Sequence, residues 1–235
     1  MIGIIAAMNT EMNIILDNMI DVNENSIAGF TFYEGVIGDN NVVICECGVG
    51  KVNSASVAVI MITTYEVDLV INTGIAGGLS NTKCRDVIIA NGLAYHDFDI
   101  RIFGYEYGQI PHMPKVFPVN PTNIMHVKSV LNKLNIAYKE GIIISGDQFV
   151  SSLEKLEMVK DLGALACEME GASIAQVCTR AGVDFIVLRY ISDLVGATGQ
   201  NEDYLQFEDE MANRSAKICL KLIENIWGLL WNFMQ

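Results

Sequence analysis

Cations are scarce in this 235-residue chain: 15 Lys and Arg stand against 28 Asp and Glu, for a formal net charge of -13. Such a field repels polyphosphates, which argues against a nucleic-acid polymer or an anionic membrane surface and favours a neutral or zwitterionic small molecule. The three histidines, His96, His112 and His126, fall into no H-E-x-x-H or other metal-ligand spacing, so no metal and no other cofactor is expected. Six cysteines (Cys45, Cys47, Cys84, Cys167, Cys178, Cys219) form no C-x-x-C pair and lie mostly in apolar runs, which reads as reduced core residues. The G-x-S-x-G elbow of a serine hydrolase is missing too. No apolar run approaches the roughly 18 residues of a membrane span. The opening MIGIIAAM lacks a basic segment and runs into Glu11, so a buried strand is expected there rather than an export signal, and the cytoplasm follows.

What is present describes a globular α/β chain. The hydrophobic fraction is 51%, with 20 glycines, enough for a sizeable core in a single domain over residues 1–235. Short β-branched runs alternate with longer segments of helical period, as in a mixed sheet crossed by helices. Strands are expected at 2–7, 30–36, 42–47, 69–73, 86–90, 141–145, 165–167 and 185–190, with a hairpin around Gly38-Asp39-Asn40. Helices are expected at 10–19, 52–65, 122–134, 152–161, 172–181 and from about 204 to 227. Residues 98–120 hold prolines, glycines and tyrosines without a period, the character of a lid, a binding loop or a subunit contact. The apolar tail 226–235 reads equally as a packed helix terminus or an oligomer contact.

Four polar features lie just past the carboxyl ends of apolar strands, where open α/β sheets collect ligand-binding groups. Glu11 opens a helix three residues beyond Met8; alone, it is also what a solvated first-turn acid looks like. Asn72-Thr-Gly-Ile-Ala-Gly-Gly-Leu79 reads as a strand ending in a glycine-rich turn, with Ala76 and Gly77 at the approach to a ligand. It matches neither G-x-G-x-x-G nor a P-loop, and a purely structural turn fits equally well. In Cys167-Glu-Met-Glu-Gly-Ala172, Glu168 and Glu170 interrupt an apolar segment, so at least one should face a cleft. In Arg189-Tyr-Ile-Ser-Asp193, Asp193 ends a strand; a buried Arg189–Asp193 pair is the structural alternative. Together the acids point to glycoside-type chemistry, one carboxyl protonating the leaving group while another activates water.

These features, with Ile2-Gly-Ile-Ile-Ala-Ala-Met8, Gly48-Val-Gly-Lys-Val52, Tyr95-His-Asp97, Phe103-Gly-Tyr-Glu-Tyr-Gly-Gln109 and Ser145-Gly-Asp-Gln-Phe149, run essentially end to end. The set resembles the 5′-methylthioadenosine/S-adenosylhomocysteine nucleosidases of the nucleoside phosphorylase superfamily. The resemblance implies a three-layer αβα sandwich with a mixed central sheet, working as a homodimer. It implies that Asp193, helped by Ser192, protonates the five-membered ring of adenine, and that Glu11 is the base for the attacking water, with Arg189 nearby. Glu170 and Met169 would hold the ribose beside Met8. Phe149 and the backbone of Val150 would take the adenine, and Phe207 would cover the sugar and thio-substituent. Phe103 and Tyr105 would reach across from the neighbouring subunit. One departure stands out: many relatives have a serine after Asn-Thr-Gly where this chain has Ile75.

A phosphorolytic nucleoside phosphorylase would need cations to seat phosphate, and the segment after the first strand offers Asn9 and Glu11 with no arginine. A futalosine-type adenine nucleoside hydrolase would share nearly all these residues. A non-catalytic nucleoside-binding protein is the third alternative, although a pure binder gains little from burying three acids.

Overall fold

In the computed structural model, which describes residues 1–79 and 81–226, the chain runs β1 (Ile2–Ala6), α1 (Asn9–Leu16), β2 (Ile20–Ile27), β3 (Phe30–Ile37), β4 (Asn40–Glu46), α2 (Lys51–Thr64), β5 (Leu69–Gly78) and β6 (Val87–Tyr95). It continues through β7 (Phe117–Pro118), α3 (Pro121–Lys133), β8 (Tyr138–Ser145), β9 (Ala166–Glu168), α4 (Gly171–Ala181), β10 (Asp184–Leu194) and α5 (Gln200–Asn225). The expected tail 226–235 lies outside the described residues beyond Ile226, as does position 227 of the last expected helix. Among the described residues, no helix is long and apolar enough to cross a membrane.

All ten strands of the described residues join one mixed sheet, as the alternating pattern implies. β4, β1, β5 and β10 are parallel neighbours, so their carboxyl ends share one edge. β1 is buried along its whole length and β5 nearly so, which explains why both read as continuous apolar runs rather than alternations. The sheet closes on itself: β10 pairs with β5 and β6, β6 with β8, β8 with β9, and β9 returns to β5. Helices α1, α3 and α5 pack together on one side, and α2 packs on α4 on the other, giving the three layers.

Local chemistry sets the helix ends. Asn120 caps α3 by accepting from the Thr122 N–H, with Pro121 in the first turn. α4 ends at Gly182 in the left-handed region. α5 begins at Gln200, four residues before the expected start, because Glu202 and Asp203 favour its positive N-terminus.

Three sequence expectations need correction. The glycine-rich segment after Thr73 is not a turn: β5 continues through Gly78, its glycines registered against β10. A glycine is required at position 74, where a β-carbon would stand 2.3 Å from Glu11 Oε1. The helix expected at 152–161 is a 3-10 turn, Leu153–Leu162, whose buried residues Leu156 and Val159 follow a three-residue period. β10 does not end near Tyr190 but runs to Leu194, so Arg189, Ser192 and Asp193 all belong to it.

Candidate active site

The carboxyl ends of β1, β5 and β10 meet the segments following β4, β8 and β9 around a cleft with a cavity volume of about 120 Å³. Met8, Glu11, Ala76, Gly77, Phe149, Val150, Met169, Glu170, Ser192 and Asp193, ten of the residues singled out in the sequence, line it.

Glu11 extends from the first turn of α1 and is only 2% exposed. Its carboxylate accepts from the backbone N–H groups of Ala7 (2.8 Å), Met8 (3.1 Å) and Ile75 (3.2 Å). Burial raises its pKa, opposed by the field of Arg189 and by these three donors. The solvated first-turn reading is therefore wrong for this residue.

Asp193 owes its position to a β-bulge: the register between β10 and β5 shifts between Ile191 and Asp193, leaving Ser192 as the extra residue. The bulge turns both Ser192 and Asp193 toward the cleft, where in a regular strand adjacent side chains point to opposite faces. Ser192 Oγ donates to Asp193 Oδ1 at 2.6 Å, and Gln200 Nε2 donates to Oδ2 at 2.8 Å. Burial raises the Asp193 pKa against the pull of these two donors. Glu11 lies against Gly74 and Asp193 against Gly77, three residues apart on one strand, or roughly 10 Å along β5. The two carboxyl groups thus line the same cleft at separate points along β5.

Glu170 accepts from the Gly50 N–H at 2.8 Å, a donor presented because Gly50 takes a φ of 103°, open only to glycine at little cost. Burial and the neighbouring Glu168 raise its pKa. Glu168 also lines the cleft but is spoken for: it accepts from the Glu170 and Gly171 N–H groups, the Ser145 hydroxyl and, at 2.6 Å, Arg189 Nη2. This ion pair replaces the Arg189–Asp193 pair considered from sequence. The other Nη1 and Nη2 donors of Arg189 go to the Asn72 backbone oxygen and side chain and to the Leu188 carbonyl, so it stands behind the cleft wall.

Phe207 does not line the cleft; its ring lies 5.2 Å from the Arg85 guanidinium. Tyr204, one turn earlier on α5, lines it instead, packing edge-on against Phe149 with centroids 5.5 Å apart. Phe103 and Tyr105 lie outside the cleft of their own chain, Phe103 being 75% exposed. Gln200, Tyr204, Val49 and Gln148 are lining residues that the sequence did not reveal. Val49 and Gln148 fall inside two of the motifs that carry the resemblance but were given no role, whereas Gln200 and Tyr204 open α5, in a segment that matches no motif. None of the described lining residues is cationic, and no described group of three His, Cys, Asp or Glu is arranged to hold a metal ion. All six cysteines are free, five of them buried.

Comparison with known proteins adds to this geometry. The family model of the phosphorylase superfamily matches residues 1–224. A 5′-methylthioadenosine/S-adenosylhomocysteine nucleosidase of Staphylococcus aureus is 39% identical over 96% of this chain and 100% of its own length. The structure of an S-adenosylhomocysteine nucleosidase from Streptococcus pyogenes in complex with 5-methylthiotubericidin superposes with a TM-score of 0.90 at 38% identity, covering 95% of this chain and 96% of that one. A futalosine hydrolase of Helicobacter pylori superposes equally well, with a TM-score of 0.90 at 35% identity over 95% of this chain and 97% of its own.

Proposed function

The chain belongs to the phosphorylase superfamily and, within it, to the 5′-methylthioadenosine/S-adenosylhomocysteine nucleosidases, and we propose from this premise how its cleft works. The enzyme is an N-glycosidase: it hydrolyses the bond between adenine and the thioribose of 5′-methylthioadenosine and S-adenosylhomocysteine. The observation that carries the reading is the pair of flanking carboxyl groups, Glu11 and Asp193, in a cleft whose described lining has no cation.

Adenine leaves poorly as an anion, so protonation of N7 by Asp193 contributes most, on the scale of about 10²–10⁴ in rate for a positioned general acid. Its raised pKa keeps the carboxyl protonated at higher pH than an ordinary aspartic acid. As the bond from the sugar to the base breaks, its electron pair goes to the base and positive charge develops on the ribose. Glu170 at the ribose hydroxyls stabilises that charge more than the neutral ground state. Water then attacks the anomeric carbon and gives its proton to Glu11, while Arg189 supports Glu11 through its field from behind the wall. Met8 and Met169 pack on the sugar, Ala76 and Gly77 let it approach β5, and Phe149 with the Val150 backbone holds the adenine. Tyr204 covers the thio-substituent in place of Phe207, and Phe103 and Tyr105 complete the pocket of a second copy.

An acid where a phosphorylase seats phosphate makes the reaction hydrolytic, and Ile75, where many relatives have serine, leaves the water to Glu11 alone on this side. The same reading has the chain act as one domain, in the cytoplasm, as a homodimer. The likeness to a futalosine hydrolase makes the 5′ substituent the variable to measure. Adenine release is assayed with methylthioadenosine, adenosylhomocysteine, a futalosine analogue and adenosine, with and without phosphate. The expected result is phosphate-independent release, fastest with the two thionucleosides; release of ribose 1-phosphate, or no release from either thionucleoside, overturns the reading.

A further inference from the structure

Gln200 is buried at the first position of α5, and its carboxamide is fully engaged. Its Nε2 donates to the Val150 carbonyl at 3.0 Å and to Asp193 Oδ2 at 2.8 Å, and its Oε1 accepts from the Gly196 N–H at 2.9 Å. One planar NH₂ group therefore spans the two acceptors that, on the function proposed above, face the adenine: the backbone of the segment that holds the base and the acid that protonates it. A carboxamide NH₂ and the 6-amino group of adenine have the same chemistry, two coplanar N–H donors on an sp² carbon. In adenine that amino group lies beside N7, the atom Asp193 must reach. Each acceptor oxygen has a second lone pair, but two NH₂ groups cannot occupy the single position that bridges both oxygens.

We propose that Gln200 is a resident stand-in for the adenine amino group, occupying its subsite in the empty enzyme and leaving when substrate enters. Two consequences follow. The resting enzyme keeps buried acceptors satisfied that would otherwise lose hydrogen bonds at a desolvation cost. The substrate's apparent affinity is lowered by the fraction of molecules in which the glutamine has withdrawn. Since adenine restores both hydrogen bonds with its own amino group and a 6-oxo purine restores neither, the stand-in also favours amino purines over oxo purines.

The test uses the intact enzyme and two variants, Gln200→Ala and Gln200→Leu. Both should bind adenine more tightly and show a lower KM for methylthioadenosine, each by roughly 3- to 10-fold, the scale of one net hydrogen bond. The pH profiles separate this from a positioning role. Gln200 donates to the ionised Asp193 in the free enzyme, so its removal should move the alkaline limb of kcat/KM upward, while the limb of kcat stays in place because the glutamine has already left the complex. Weaker adenine binding, or both limbs moving together, would mean that Gln200 stays beside Asp193 during turnover, and the proposal falls. A readout on the unaltered protein guards against poorly folded variants: the side-chain amide resonances of Gln200 should shift to solvent-exposed values on adding adenine, and unchanged resonances in the saturated enzyme also overturn the idea. Failure of the wild type to bind adenine at all would instead count against the proposed function.

Discussion

At the scale of single residues, the decisive question is what Asp193 is for. Its contacts are Ser192 and Gln200, while Arg189 is neutralised by Glu168, so an Asp193→Asn enzyme leaves no stranded cation. Asparagine keeps an acceptor for Gln200, and the Ser192 hydroxyl turns to accept from the new amide. The expected outcome is a melting temperature within a few degrees of wild type and adenine release lowered at least about 10²-fold; near-normal turnover on methylthioadenosine refutes the mechanism. Glu170 makes a prediction about stability. Its pKa is raised to about 8 by burial and by Glu168, above its value in the unfolded chain. Its contribution is therefore fully present below the unfolded pKa and is lost as pH rises through the folded one. The window runs from about 4.5 to about 8. Glu170→Gln keeps the acceptor for Gly50 without the charge, so its melting temperature should draw level with wild type at pH 4.5 and exceed it at pH 9. The excess should be at least about 2–4 °C, the effect of 1 kcal/mol in a chain this size. Thermal melts at both pH values decide it, and a difference independent of pH is the contrary result. The gathering of Glu11, Glu170 and Asp193 in one cleft was legible in the sequence because acids that interrupt apolar runs must have a reason to be there. The partner of Arg189 was not, since Glu168 and Asp193 are equally plausible until β9 is seen beside β10's neighbours.

Among the elements, the sequence displayed those that bury a face. β1, β5 and β10 announced themselves as apolar runs. β2 did not: it is exposed along nearly all of its length, an edge strand whose polar residues carry no core-facing pattern. The continuation of β5 through Gly78 was hidden because glycines signal turns, yet here they make room for the side chains of Glu11, Thr82 and Ile191. Two segments bearing the site are joined by an ion-pair tie outside the cleft. Lys51, at the start of α2, bonds both oxygens of Asp97 after β6, its backbone N–H donates to Asp147, and the Asp147 N–H donates back to Asp97. This knot links the loop that presents Gly50 to Glu170 with the segment that carries Phe149 and Val150. Asp97→Asn should loosen the register between the ribose and adenine ends, raising KM for methylthioadenosine roughly 3- to 10-fold while kcat changes little, as expected when uniform binding is lost. Steady-state kinetics test this, and a fall in kcat at constant KM would contradict it.

For the molecule as a whole, exposed apolar groups argue for association. Val52 and the sequence neighbours Ile102 and Phe103 lie open to solvent in the single chain, and large apolar groups gathered in an exposed patch mark interaction sites. Phe103→Asp should yield a monomer in sedimentation and lower adenine release at least about tenfold, as loss of an interfacial anchor worth about 2 kcal/mol or more would do; a fully active monomer removes the dimer from the mechanism. The return of the sheet upon itself has a consequence in time rather than space. The parallel pairing of β5 with β10 sets Asn72 beside Val187 and Gly74 beside Arg189, and brings the Arg189 side chain to the Asn72 carbonyl, 117 residues away. Contacts so distant along the chain are slow to form because loop closure must precede any reward. During synthesis the first third of the chain emerges with β5 lacking this neighbour, its apolar length uncovered until β10 has left the ribosome. Ser192 and Asp193 arrive on that same late strand, so a truncated product lacks that wall of the cleft, and the nascent chain completes its site only when its fold is nearly complete.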